Sequence, residues 1–201
     1  MKRAGLDPGE IGWVVLSHLH GDHFGGLPFL ILDGQFSRRT RPLLIAGPPG
    51  VRARVEATME ALFPGSSAVT RRFPVAFVEL TERVPTPVGP ARVTPFGVTH
   101  ASGAPSYALR VEHAGRVLAY SGDTEWTDSL VEAAGDADLF VCEAYSFDKA
   151  VRYHLDYRTL AAQLARLACR RIILTHMGAE MLARRAETGI ECAEDGLVVD
   201  V

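Results

Sequence analysis

The sequence predicts an α/β layered fold, and three observations predict it. Short apolar runs rich in β-branched residues alternate with amphipathic segments of helical spacing. Hydrophobic residues make up 47% and charged residues 22% of the 201 positions, close to average globular usage, so the chain carries enough apolar side chain for a core. Four of the apolar runs stop abruptly at a histidine or an aspartate: "WVVLSH" at His18, "VTPFGVTH" at His100, "RVLAYSGD" at Asp123 and "RIILTH" at His176. A strand buried on both faces reads as a continuous apolar run. Residues just past its end emerge at the rim of the sheet, where open α/β sheets place their ligands. One domain over residues 1–201 is expected at this length.

In chain order, a strand at 13–17 follows from the apolar Trp13-Val14-Val15-Leu16, and a helix is expected at 24–32. A strand at 42–46 ends in the turn Gly47-Pro48-Pro49-Gly50, with Pro49 near the first position of a helix at 49–62, where its missing N–H costs nothing. Strands at 75–80 and 91–98 flank the Pro- and Gly-rich stretch 85–90, read as a turn; neither this nor Gly47–Gly50 is long enough for a domain linker. Strands at 107–112 and 116–120 form a hairpin through His113-Ala114-Gly115, and a helix at 126–134 and a strand at 139–142 follow. The helix at 157–169 shows its logic best, because Asp156 stands at the N-cap and Leu160, Leu164 and Leu167 recur at helical spacing. A strand at 172–175, a helix at 179–187 and a strand at 197–200 complete the pattern, without repeats or low-complexity tracts.

The formal charge of −3 leaves no basic excess to neutralise a long phosphate backbone. The opening "MKRAGLDPGE" is charged and broken by Pro and Gly, so it has no apolar signal core, and no later run is long enough to span a membrane. The expectation is a cytoplasmic protein. Cys142, Cys169 and Cys192 are odd in number and widely spaced, which reads as buried free thiols.

The stretch "SHLHGDHFGG" holds three of the seven histidines and an aspartate within six positions, His18 to His23. Crowding titratable groups this closely is unfavourable unless a cation compensates them. A thiolate-free set of imidazoles and carboxylates suits zinc, with manganese or iron as alternatives, in a hydrolytic rather than a structural site. A lone His100 or His176 is more often capped or solvated, and Asp123 alone fits a turn residue or helix cap. Beside the cluster, all three read as ligands.

The series His18-x-His20-x-Asp22-His23, then His100, Asp123 and His176, resembles the metallo-β-lactamase superfamily of binuclear metal hydrolases, and the resemblance covers nearly the whole chain. It implies an αββα sandwich with two divalent metals at one edge of two sheets. His18, His20 and His100 would hold the first metal, Asp22, His23 and His176 the second, and Asp123 would bridge them. Such a pair lowers the pKa of a shared water and yields a metal-bound hydroxide as nucleophile. Asp22 and His154 are the residues expected to serve catalysis directly.

Fold alone leaves the substrate open. The β-lactamases commonly carry cysteine where this chain has Asp123, and "VTHASGAPSYALRVE" stands where glyoxalase II and the acyl-lactonases resemble "HTPGHT". That segment, with "LTHMG" and "IAGPPG", is closer to the ribonuclease Z and small phosphodiesterase branch. The branch carries a catalytic histidine where this chain has His154, 22 residues before His176 and just ahead of a helix. An imidazole there suits general-acid work on the leaving oxygen; the bland alternative is a ring that packs near Tyr153. Glu143 in "VCEAYS" fits either a partner for a ligand or for His154, or a solvated carboxylate. His113, in a hairpin turn, is assigned no role.

The expectation is therefore a hydrolase of small or cyclic phosphodiesters. Precursor tRNA is not the expected partner: the arm that grips it in bacterial ribonuclease Z proteins commonly lies between the third histidine motif and the bridging aspartate. Here only 23 positions separate His100 from Asp123. Rival readings are ribonuclease Z-like tRNA 3′ processing, hydrolysis of esters, sulfate esters or lactones on the same metals, and a non-catalytic metal-binding remnant. Family members usually begin with strands and a glycine-rich loop, whereas twelve residues precede Trp13 here. The opening resembles the tail of the helix after those strands, so a shortened N-terminus is expected, with an uncovered sheet edge open to homo-oligomer pairing.

Overall fold

The computed structural model describes residues 1–201 apart from the side chain of Lys2. Strands β1 (Trp13–Val15), β2 (Leu43–Gly47) and β3 (Val75–Glu79) form a parallel three-stranded sheet in that order. The second sheet has seven strands in the order β10-β9-β8-β7-β6-β5-β4. They are β4 (Thr86–Val88), β5 (Ala91–Gly97), β6 (Tyr107–His113), β7 (Arg116–Tyr120), β8 (Leu139–Glu143), β9 (Ile172–Thr175) and β10 (Glu191–Cys192). The helices are α1 (Gly21–Phe24), α2 (Leu27–Phe36), α3 (Val51–Leu62), α4 (Ser129–Ala134), α5 (Tyr157–Gln163) and α6 (Ala179–Arg184).

The layers follow from the two-residue period of a strand. On β2, Leu43 and Ile45 face Leu27 and Ile31 of α2 and Val51, Val55 and Met59 of α3, while Leu44 and Ala46 face the other way. There they meet Val88, Val93, Tyr107 and Leu109 of the second sheet. Across that sheet, Ala108, Ala119, Phe140, Cys142 and Leu174 pack on Leu130 and Ala133 of α4, Leu160 of α5 and Met181 of α6. Helices, sheet, sheet and helices give the expected αββα sandwich. Ile31, Leu43, Ile45, Leu80, Phe140 and Leu160 are at most 1% exposed, and each such side chain contributes about 1.5–3 kcal/mol by burial.

Strand direction prepares the site. β5 and β7 both run antiparallel to β6 and so point the same way, and β8 and β9 are parallel to β7. Their C-terminal ends therefore share one rim.

Several elements depart from the sequence reading. The helix expected at 24–32 is two, α1 and α2, separated by Gly25-Gly26, with Pro28 in the first turn of α2. Residues 85–90 are not all turn: β4 pairs with β5 around Gly89-Pro90. The expected strand at 197–200 does not form; β10 pairs with β9 instead, because the parallel register reaches only Glu191 and Cys192. Helix α5 stops at Gln163 and a 3-10 turn continues to Arg166, short of residue 169. Its N-cap is as expected, Asp156 accepting the Thr159 N–H at 2.9 Å. The opening forms two 3-10 turns, Lys2–Ala4 and Pro8–Glu10, rather than the tail of a helix. Arg39, 6% exposed, fastens the second by donating to the carbonyls of Pro8, Ile11 and Pro42. Cys142 is buried as a free thiol, whereas Cys169 and Cys192 are only partly so. Among the described residues no helix is long and apolar enough to cross a membrane.

At the β4–β5 turn Gly89 has φ +59°, and a Cβ there would lie 2.8 Å from the Trp13 ring. Gly89→Ala combines backbone strain with displacement of that ring, and is expected to lower the unfolding free energy by about 1–3 kcal/mol. Urea denaturation checks this. A midpoint equal to wild type would show that Trp13 moves aside freely.

Candidate metal centre

Each sequence-predicted ligand lies at the shared rim or beside it. His18 follows β1, His20 caps α1, and Asp22 and His23 lie within α1. His100 lies three residues past β5, Asp123 three past β7, and His176 directly after β9 with φ +53°. A left-handed conformation at a non-glycine residue is costly and persists only where its surroundings fix it. Gly122, also left-handed at φ +61°, permits a close approach: a Cβ there would lie 2.7 Å from the Tyr107 carbonyl oxygen and 3.0 Å from the Ser17 Cβ. That approach brings Asp123 alongside His18.

The side chains fall into overlapping groups whose donor atoms lie within 4.8 Å of one another: His18, His20 and His100; His18, His23 and Asp123; Asp22, His23 and His176. Asp123, 2% exposed, stands where they meet. Its Oδ2 is 3.2 Å from His23 Nε2 and 3.8 Å from His18 Nε2, and its Oδ1 is 3.2 Å from His176 Nδ1. His100 Nε2 lies 2.9 Å from His20 Nδ1, while His100 Nδ1 meets the Tyr153 carbonyl at 2.9 Å. A carbonyl can only accept, so Nδ1 carries the proton and Nε2 turns its lone pair toward the group. His18 Nδ1 is held by Ser17 Oγ at 3.1 Å.

Two buried atoms at this centre, His18 Nε2 and Asp123 Oδ1, have no hydrogen-bond partner. Buried polar atoms are ordinarily paired, and orphans facing a set of imidazole lone pairs fit cations. Electrostatics agree. Burial, then the neighbouring His23, pushes the His18 pKa down to about 3 against the pull of Asp123, leaving the neutral imidazole a metal requires. Burial alone would raise Asp123, but the His23 hydrogen bond and the charges of His176 and His23 outweigh it and hold the carboxyl below its usual range. The hydrogen bond with Glu143 raises His176 against burial, with Asp123 adding to it.

Glu143, fully buried at the end of β8, is a hub and not the solvated carboxylate the sequence also allowed. Its Oε2 accepts the N–H of Thr124 at 2.8 Å and of Leu155 at 3.2 Å; its Oε1 meets Nδ1 of His154 and, at 2.9 Å, Nδ1 of His176. The His154 ring stacks on Tyr145, with centroids 4.7 Å apart at 28°, rather than packing against Tyr153. It stands 5.3 Å from both the His100 and His176 rings. Ser17, Tyr145 and the Tyr153 carbonyl escaped the sequence reading. For Ser17 and Tyr145 the only available signal was adjacency, Ser17 preceding His18 and Tyr145 following Glu143 by two. His113 lies away in the β6–β7 hairpin, bonded to the Pro90 carbonyl at 3.2 Å.

The family model of the beta-lactamase superfamily domain matches residues 2–177. An uncharacterized protein of Mycobacterium leprae is 34% identical over 178 residues, 85% of this chain and 61% of that one, so the chain spans about three fifths of that relative's length. Ribonuclease Z of Haloferax volcanii is 30% identical over 236 residues, 91% of this chain and 73% of that one. Among solved structures, the short form of human tRNase Z superposes with a TM-score of 0.77 at 24% identity, covering 99% of this chain and 82% of the other. A diphosphatase of the PhnP family superposes at 0.72 with 18% identity, covering 100% and 74%. At these identities the superpositions speak to the fold alone.

A pH dependence follows from His18. With cations removed by chelation, its folded-state pKa of about 3 lies below the ordinary 6.5, so its contribution to stability is complete above pH 6.5 and is lost as pH falls toward 3. The advantage of wild type over His18→Asn is expected to shrink by up to about 1.4 kcal/mol per pH unit across that window. Urea denaturation of both proteins measures it, and a difference that does not vary with pH would contradict the neutral imidazole.

Proposed function

The chain belongs to the β-lactamase superfamily, and from that membership we propose that it is a metal-dependent hydrolase of phosphodiester bonds in small or cyclic substrates, carrying two divalent transition metal ions, zinc first among them. The observation that carries this reading is Asp123, a buried carboxylate with one oxygen toward His18 and His23 and the other toward His176. His18, His20 and His100 would hold one cation, Asp22, His23 and His176 the other, with Asp123 between them. When bound, such a pair acidifies a water and stabilises charge on the attacking and leaving oxygens.

The chain's own residues supply the rest. Glu143 fixes the His154 ring through Nδ1 and Tyr145 supports its face, which leaves Nε2 to pass a proton to the leaving oxygen. The same carboxylate steadies His176, so acid and ligand are oriented by one group. This pairing, together with relatives named ribonuclease Z, supports phosphorus–oxygen chemistry over ester or lactone hydrolysis.

The names of those relatives also favour tRNA 3′ processing as a second reading. Against it stands the interval from His100 to Asp123, filled by the hairpin of β6 and β7 with a turn of only Ala114 and Gly115 between them. A folded RNA needs many backbone contacts, whereas a few arginines suffice to clamp one phosphate.

Elemental analysis of metal-supplemented protein is expected to find two equivalents per chain, with Asp123→Ala depleting both and His154→Ala depleting neither. Turnover of an aryl phosphodiester by His154→Ala should fall by ~10²–10⁴. At most one equivalent in folded wild type would end the binuclear reading, and undiminished turnover would release His154 from catalysis.

Cleavage of small phosphodiesters is expected to exceed processing of a precursor tRNA and to change little between low and moderate salt. Efficient 3′ processing with a steep loss of affinity as salt rises would promote the second reading.

A further inference from the structure

The segment 150–156, which carries His154, is held on one side by Glu143, which meets His154 Nδ1 and accepts the Leu155 N–H, and by the Leu155 carbonyl, which accepts the Tyr145 N–H; a second set of contacts holds it at Tyr153. Val151 and His154 form an isolated bridge across its bend, and Tyr153 between them is left-handed at φ +69°. A tyrosine in that conformation is strained and needs an external tether. The tether is Glu125, whose Oε1 accepts the Tyr153 N–H at 2.8 Å. The carbonyl of the same Tyr153 meets His100 Nδ1 at 2.9 Å. One residue thus faces a carboxylate with its N–H and an imidazole of the three-histidine group with its C=O, and the next residue is His154.

Glu125 is itself locked to the segment before His100. Its N–H donates to the Thr99 carbonyl at 3.1 Å, and the Thr99 N–H donates to Thr124 Oγ1 at 3.1 Å. The pair Thr124-Glu125, directly after Asp123, therefore touches three of the segments that build the rim: the ends of β5 and β7 and the bend around Tyr153. A cation on His100 Nε2 draws density from the imidazole and makes its Nδ1–H a stronger donor to the Tyr153 carbonyl. Tyr153 is then held through both of its flanking peptides, residue 152 to 153 by Glu125 and residue 153 to 154 by His100.

We propose that Glu125 is a positioning residue that couples cation binding at His100 to the placement of His154, acting through the backbone of Tyr153. This rests on the reading that His18, His20 and His100 hold a cation, and it names a coupling within that site. Coupling of this kind is reciprocal: what fixes the backbone of Tyr153 tightens the cation, and the cation fixes that backbone. Only an acceptor oxygen at the right place is required of residue 125, so glutamine serves and alanine does not.

The test uses cobalt(II) as probe on the intact chain, with two readouts independent of substrate: amide hydrogen exchange at Tyr153 and the d–d absorption of the bound ion. In wild type, exchange at Tyr153 is expected to slow on adding cobalt. In Glu125→Ala that amide exchanges rapidly with or without the ion, and cobalt affinity falls by up to ~10-fold, less than the ~10–100-fold expected for losing a direct partner of a ligand, because Glu125 acts one contact further out. Glu125→Gln restores both. Wild-type protection and affinity in Glu125→Ala, or a Glu125→Gln as impaired as Glu125→Ala, overturns the proposal. Should Glu125→Ala not fold, exchange at Tyr153 in wild type with and without cobalt decides, and a rate indifferent to the ion overturns it. Failure of cobalt to bind wild type at all would refute the metal reading itself, separately from the coupling.

Discussion

Asp123 is 2% exposed, and its oxygens lie within 3.2–3.8 Å of nitrogens on His18, His23 and His176. Removing a carboxylate from water costs several kcal/mol unless charges and hydrogen bonds replace the solvent. Here the replacement comes from imidazoles, one of which, His18, burial itself keeps neutral. The centre is therefore polar, buried and short of partners at two atoms, a condition that cations relieve and that apolar packing could not. The surrounding rim serves to keep those groups together.

The sandwich achieves this through strand direction. Because β5, β7, β8 and β9 point one way, His100, Asp123, Glu143 and His176 arrive at one edge from separate parts of the chain, each on a short tether from a rigid strand. The other sheet delivers His18 from the end of β1 and, through α1, the remaining residues of the motif. The apolar layer between the sheets, with Ala46, Leu80, Val93 and Leu109, fixes their separation and so the distance across the centre. Strand ends and the short helix α1 carry the proposed ligands, while the less regular segment 150–156 carries His154, the proposed acid.

A second tier of contacts gives the site its orientation. Glu143 meets His154 and His176, Tyr153 meets His100, and Ser17 meets His18, so four of the imidazoles are held by a group that is not itself a proposed ligand. Outer contacts of this kind select the tautomer and the ring plane, and through them the basicity of the nitrogen turned inward.

The sequence by itself determined the α/β class, most of the strands and the membership of the rim. Its signals were local: an apolar run that ends in His or Asp, an N-cap aspartate before leucines at helical spacing, three histidines crowded into six positions. It misjudged residues 85–90 and 197–200, because a two- or three-residue strand such as β4 or β10 is fixed by the neighbour it pairs with and not by its own composition. Only the tertiary structure decided that Glu143 is buried between two histidines and not solvated, that His154 lies against Tyr145, and that a backbone carbonyl orients His100. Those are contacts between residues 9 to 53 positions apart in the chain, one of them through a backbone carbonyl common to every residue type, and such contacts leave no mark in the order of the side chains.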